Sequence, residues 1–244
     1  MITRKQVQTA MQVIFPPRCV SCGDLVEEDF NLCGACWRDT PFIGGAICDA
    51  CGSPLPGAPS DVLETCDDCM TNPTPWVRGR AVFLYEGRAR QMVLRLKHGD
   101  RHDIVHPAAR WMASAAKDIV SEKTVVCPIP LHWKRFLRRR FNQSALLAAD
   151  MAHHLAVPYV PDLLVRTRAT LAMEGMSRQE RHDNLVGSIA VNLKHSGRIK
   201  GRDILLVDDV MTSGATFSAA TGACLAAKAA QVSVIALARV AKLP

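Results

Sequence analysis

Residues 204–217, Ile-Leu-Leu-Val-Asp-Asp-Val-Met-Thr-Ser-Gly-Ala-Thr-Phe, constrain the fold of this chain more tightly than any other stretch. The apolar run Ile204 to Val207 predicts a buried strand. It ends in two adjacent acids, Asp208 and Asp209. A small turn, Thr212-Ser213-Gly214-Ala215-Thr216, then leads into an alanine-rich helix. Strand, acid pair, turn and helix together suit a phosphorylated sugar. The turn amides and the helix N-terminus offer donors and partial positive charge to a phosphate, and the carboxylates are placed to accept hydrogen bonds from sugar hydroxyls. The alternative is that the acids merely cap the helix. Two carboxylates at the end of a buried strand, however, cost desolvation unless something uses them. Gly214 allows close backbone approach or a positive φ.

The opposite end of the chain carries the second strong signal. Ten cysteines occur, and eight form Cys-x-x-Cys pairs: Cys19/Cys22, Cys33/Cys36, Cys48/Cys51 and Cys66/Cys69. Two such pairs complete one tetrahedral four-sulfur zinc site, so eight thiolates predict two structural zinc ions in a double zinc ribbon. The spacing suits sequential pairing of the knuckles, and crossed pairing stays open. Disulfides are the competing reading and need an oxidising compartment. The first residues, Met-Ile-Thr-Arg-Lys-Gln, lack the apolar run of a signal peptide, and no stretch has the length of a membrane helix. The expectation is therefore a cytoplasmic protein without membrane insertion. Cys127 and Cys224 stand alone among apolar neighbours and read as small core residues.

Composition bounds the partners. Net charge is +7, which favours polyanions such as phosphosugars, pyrophosphate or nucleic acid. Aromatic content is only 5%, so any base-stacking platform is small. Hydrophobic residues make up 48% of the chain, enough for a sizeable core behind a small metal module. That module should need zinc to fold.

Along the chain, residues 3–15 read as a short amphipathic helix, and Thr71 to Pro75 as a linker. Strands are predicted at Arg80–Tyr85, Thr124–Ile129, Ile204–Val207 and Val232–Ala238, and helices at Arg88–Lys97, Ile104–Val120, Phe141–Leu155 and Thr216–Ala230. Val165 to Val186 is polar and weakly periodic, as a flap would be. Strands alternating with helices predict an α/β fold with a mostly parallel sheet, whose ligand sits beyond the carboxyl ends of the strands. The expected division is a metal module over 1–72 and an α/β unit over 76–244. Lys134, Arg135, Arg138, Arg139 and Arg140 put five cations in seven residues beside that ligand mouth. They read as a pyrophosphate or nucleic-acid backbone site, with a solvated helix face as the alternative.

Val207, Asp208, Asp209, Val210, Met211, Thr212, Ser213, Gly214, Ala215 and Thr216 resemble, at nearly every position, the phosphoribosyl pyrophosphate (PRPP) motif of type I phosphoribosyltransferases. Further elements are the four cysteine pairs, Leu96-Lys97, Pro128-Ile129-Pro130, Arg139-Arg140-Phe141-Asn142-Gln143 and the Arg166–Asn184 segment. With them the whole chain resembles the competence-protein-F (ComF) family, which includes proteins labelled GntX. The resemblance implies a type I phosphoribosyltransferase fold behind a double zinc ribbon, PRPP bound with magnesium, and a link to natural transformation through single-stranded DNA uptake and DNA-uptake or helicase proteins. In the enzyme reading, Asp208 and Asp209 hold the ribose hydroxyls and oppose the charge growing on the sugar. Thr212 to Thr216 hold the 5′-phosphate, and Lys134 with the nearby arginines helps pyrophosphate leave. A non-enzymatic DNA-handling protein with a retained PRPP site, and a PRPP-responsive regulator, are the other readings. The chain departs from the family pattern at Arg140, Met173, Asp183 and Ile189.

Overall fold

The computed structural model describes residues 15–60, 62–98, 101–131, 141–168, 178–185 and 187–240. The helix predicted over 3–15 (Phe15 aside), the five cations between 134 and 140, and Met173 lie outside the described residues.

Two short helices, α1 (Gly34–Asp39) and α2 (Asp67–Thr71), belong to the cysteine module. The remainder alternates strand and helix: β1 (Arg78–Leu84), α3 (Gly87–His98), α4 (Val105–Ala115), β2 (Thr124–Pro128), α5 (Gln143–Leu155), β3 (Leu164–Arg166), α6 (Arg178–Leu185), β4 (Ile189–Val191), α7 (Ser196–Ile199), β5 (Asp203–Met211), α8 (Ala215–Ala226) and β6 (Gln231–Arg239). Strands β1-β6-β5-β2 form one parallel sheet in that order, and β3 pairs antiparallel with β4 in a separate two-stranded sheet.

Both faces of the parallel sheet are covered, which is why its central strands are continuous apolar runs. Leu205, Val207, Ile235 and Leu237 pack on one side against Met92 and Leu96 of α3, Met112 of α4, and Leu147 and Met151 of α5. Ile204, Leu206, Val234 and Ala236 pack on the other against Phe217, Ala220 and Cys224 of α8, with Leu164 and Ile189 from the small sheet. Each fully buried side chain of this size contributes about 1.5–3 kcal/mol, so two such layers fix the register of β5 and, with it, the placement of the acids that follow Val207.

Several elements differ from the sequence reading, among them the helix predicted over Thr216–Ala230, which ends at Ala226 as α8. The strand predicted to end at Val207 runs on through both aspartates to Met211, paired with β6 at Asp208↔Ala236 and Val210↔Ala238. Pairing with the neighbour offsets the poor strand propensity of aspartate. The helix predicted over Ile104–Val120 ends at Ala115, with Ala116 as its C-cap, and is followed by a single 3-10 turn, Lys117–Ile119. Helix α6 and all of strand β3 except Leu164 fall within the Val165–Val186 segment read as a flap, which β4 follows; the two strands have three residues each, too short for a period-2 signal.

The cysteine module is docked along β1. Phe42 makes a bridge to Phe83, Ile43 N–H donates to Val82 C=O at 2.8 Å, and Phe42, Phe83 and Trp111 meet edge to face. This covers an edge strand that would otherwise expose unpaired backbone groups. Further along β1, Gly79 N–H donates to Asp49 C=O at 2.8 Å. A side chain there would meet Ala50 O at 2.6 Å, so only glycine permits the approach. Buried Arg80 bridges Asp49, at 2.8 Å, and Asp118.

Candidate functional site

The acid pair sits where β5 leaves the core, but its two members have different surroundings. Asp209 is 4% exposed. Its Oδ1 pairs with Lys97 Nζ of α3 at 3.1 Å, and its Oδ2 accepts from Gln143 Nε2 of α5 at 2.7 Å. Asp208 is half-buried. Its Oδ1 accepts from Ser144 Oγ at 2.7 Å and from Asp209 N–H at 2.9 Å, leaving Oδ2 without a partner among the described residues. Burial, reinforced by the neighbouring Asp209 carboxylate, pushes Asp208 up from 3.8 to about 7. Gln143 Oε1 is buried and also has no partner among the described residues. The two carboxylates expected to serve sugar hydroxyls alike are thus divided: one is held within the protein, and one keeps an open oxygen.

Asp208 shares a shallow depression with Val210, Met211, Thr212, Ser213, Gly214, Ala215, Thr216 and Phe217. Gly214 has φ +78 and forms the N-cap of α8. The turn therefore delivers the first amides of the helix to the depression, the geometry of an anion site. A Cβ on Gly214 would meet the indole of Trp76 at 2.8 Å. Trp76 also lies edge-on to Phe217, with ring centroids 6.1 Å apart, and donates from Nε1 to Ala50 C=O at 2.6 Å. The turn is thereby wedged against a residue tied to the second cysteine cluster. The stretch read as a free linker leads directly into this buried anchor. On the other side of the strand end, Arg239 of β6 donates to Ser53 Oγ beside the same cluster and approaches Met211 Sδ.

The eight N-terminal thiols gather as Cys19, Cys22, Cys33, Cys36 and as Cys48, Cys51, Cys66, Cys69, with all ligand atoms in each set within 4.8 Å of one another. The pairing is sequential, and none of the ten cysteines is in a disulfide. Backbone amides point at sulfur: Cys33 N–H to Cys19 and Cys66 N–H to Cys48, each at 3.3 Å. The hydrogen bond that Cys48 and Cys51 share pulls the Cys51 thiol down, to about 4, and pushes Cys48 up. Donors aimed at sulfur favour the thiolate, the form that binds metal. Four-sulfur sets of this kind suit zinc. Cys127 and Cys224 lie in the core, where burial raises both thiols, Cys224 to about 12.

Lys97, Gln143, Ser144 and Trp76 complete the site but received no individual role from the sequence. Gln143 had a signal in the Asn-Gln that follows the basic segment, and Lys97 in the Leu-Lys ending the helical stretch; nothing marked Ser144 or Trp76. Ile189 is a buried core residue and Asp183 an exposed one on α6.

Comparison with known proteins agrees with this architecture. Residues 10–70 match the double zinc ribbon domain and residues 142–243 the phosphoribosyl transferase domain. A DNA utilization protein, YhgH, of Salmonella typhimurium is 31% identical over 223 residues, covering 88% of this chain and 93% of that protein. Competence protein F of Haemophilus influenzae is 25% identical over 214 residues, 85% of this chain and 90% of its own. Competence protein ComFC of Bacillus subtilis is 28% identical over 226 residues, 88% and 87% of the two chains. The chain, with its two four-cysteine zinc sites and its parallel α/β sheet, belongs to the competence protein F family, a double zinc ribbon joined to a phosphoribosyltransferase domain.

Proposed function

We propose that the 207–216 segment binds PRPP together with magnesium, and that this binding serves the handling of incoming single-stranded DNA. The observation that carries the first part is the asymmetric acid pair beside a helix-capping turn. Asp209 is spent on Lys97 and Gln143, while Asp208 keeps an oxygen open toward the depression formed by Thr212 to Thr216. In this reading Asp208 accepts from the ribose hydroxyls, and the turn amides with the α8 N-terminus hold the 5′-phosphate. A carboxylate with water and substrate oxygens is a set magnesium accepts, and the ion would supply positive charge against the pyrophosphate. The chain's own part is positioning and electrostatics: a carboxylate pair, one buried and one half-buried, opposite a sugar that becomes cation-like as pyrophosphate departs. Lys134, Arg135, Arg138, Arg139 and Arg140 follow β2 closely enough in sequence to receive the leaving pyrophosphate or a DNA backbone. Residues 1–72 act as the zinc-dependent module and 76–244 as the PRPP-binding unit.

The DNA link rests on the relatives named for competence and DNA utilization and on the net charge of +7. The test is a PRPP turnover screen with magnesium, with and without single-stranded DNA. Pyrophosphate release that depends on Asp208 supports transfer chemistry. PRPP binding without release, alongside salt-dependent DNA binding, supports a PRPP-gated DNA-handling protein. Absence of both pyrophosphate release and PRPP binding refutes the reading.

A further inference from the structure

Apart from the cysteine clusters, one other group of metal-ligating side chains stands out among the described residues, and neither the zinc ribbons nor the phosphosugar site uses it. His106 in the first turn of α4, and Asp150 and His154 of α5, each bring one donor atom to within 4.8 Å of the others. Asp150 and His154 are four residues apart and so share a helix face. His106 Nδ1 lies 2.9 Å from Asp150 Oδ2, and His154 Nε2 lies 3.7 Å from Asp150 Oδ1. We infer that these three residues form a third metal site, for a divalent borderline cation of the zinc, cobalt or nickel class.

Two ligands of a tetrahedral ion, each about 2.0–2.1 Å from the metal, stand about 3.4 Å apart. The two contacts, made through different oxygens of Asp150, fall on either side of that value, and one donor atom from each residue lies within 4.8 Å of the others, so closure needs side-chain adjustment to bring a single set of donors onto one ion. The supporting helices are anchored in the core, where Ala108, Ala109 and Met112 of α4 and Leu147, Ala148 and Met151 of α5 belong to one buried cluster. Phe30 of the first ribbon lies edge-on to the His106 ring, with centroids 5.1 Å apart. Two imidazoles and one carboxylate select against magnesium and calcium, which prefer oxygen sets. Three protein donors leave a fourth position for water or an exogenous anion, as in open zinc sites. The triad is separate from the phosphosugar site: Asp150 and His154 lie 7 and 11 residues beyond Gln143 on the same helix, or roughly 10–16 Å along it.

The test is calorimetric titration of zinc chloride into the full chain already holding its two thiolate-bound zinc ions. One further equivalent is expected. His106→Gln and His154→Gln, both polar replacements at partly exposed positions, should each weaken it at least about tenfold, the minimum for removing a direct ligand given the losses seen for second-shell partners. The thiolate-bound zinc content of each variant should stay at two, which shows that the fold persists. Cobalt chloride added to the zinc-loaded chain should give d–d bands without sulfur charge-transfer absorption. Saturation with no further equivalent overturns the inference, as does a third equivalent unchanged in both variants, or one lost equally in His153→Gln.

Discussion

Asp208 and Asp209 are neighbours on one strand, and the difference between them is the central residue-scale fact of this protein. Asp209 has a lysine and an amide to itself; Asp208 has a hydroxyl, a backbone amide and an oxygen with no partner among the described residues. Its pKa of about 7 has a defined sign. The folded value lies above the unfolded 3.8, so the folded state holds the extra proton. The stability this contributes is complete below about pH 4 and is lost as pH rises through about 7. A ligand that needs the carboxylate behaves oppositely, so PRPP affinity should rise between pH 6 and pH 8. Asp208→Asn should abolish the Asp208 part of that rise, and calorimetry at several pH values measures it against the ligand's own titration. Lys97→Gln should leave a buried carboxylate unpaired and destabilise the fold by about 3 kcal/mol, read as a shift in the urea midpoint. The acid pair was legible in the sequence because two adjacent acids ending an apolar run are costly. Its asymmetry was not, because Gln143 and Ser144 come from a helix more than sixty residues away in the chain.

At the scale of elements, the turn after β5 takes its shape from two sources. Its φ of +78 at Gly214 is intrinsic to glycine, and its position is set by Trp76. Gly214→Ala should cost at least about 1–2 kcal/mol from the left-handed backbone alone, and should weaken PRPP binding further because the indole must move. Trp76→Phe should remove the bond to Ala50, worth about 1 kcal/mol, while relieving part of the crowding. In a double-mutant cycle the two changes should therefore be non-additive in PRPP affinity. The strand–turn–helix was legible because its chemistry is local. The small β3–β4 sheet was not, since three-residue strands carry no period. Strand β5 was read too short because its last residues are held by pairing with β6 rather than by their own apolar character.

The whole molecule is two modules that share an edge. The cysteine pairs announced the metal module, and the structure adds sequential pairing and a dock along β1 through Phe42, Gly79, Arg80 and Trp76. Zinc removal should therefore reach beyond the ribbon. Mild chelation should unfold residues near the second cluster, release Trp76 and lower PRPP affinity, while zinc returned under reducing conditions restores it. Zinc content and PRPP binding followed on one sample would reveal the coupling. Full PRPP affinity in zinc-free protein would show that the modules are energetically independent. Asp208 is the residue on which PRPP binding turns, and calorimetric titration of PRPP with magnesium into wild-type protein and Asp208→Asn tests it. The substitution removes a desolvated charge and should leave the fold intact, while losing about 2 kcal/mol of binding, roughly thirtyfold in affinity. Wild-type protein that fails to bind PRPP, or a folded Asp208→Asn variant that binds it equally well, would contradict the assignment.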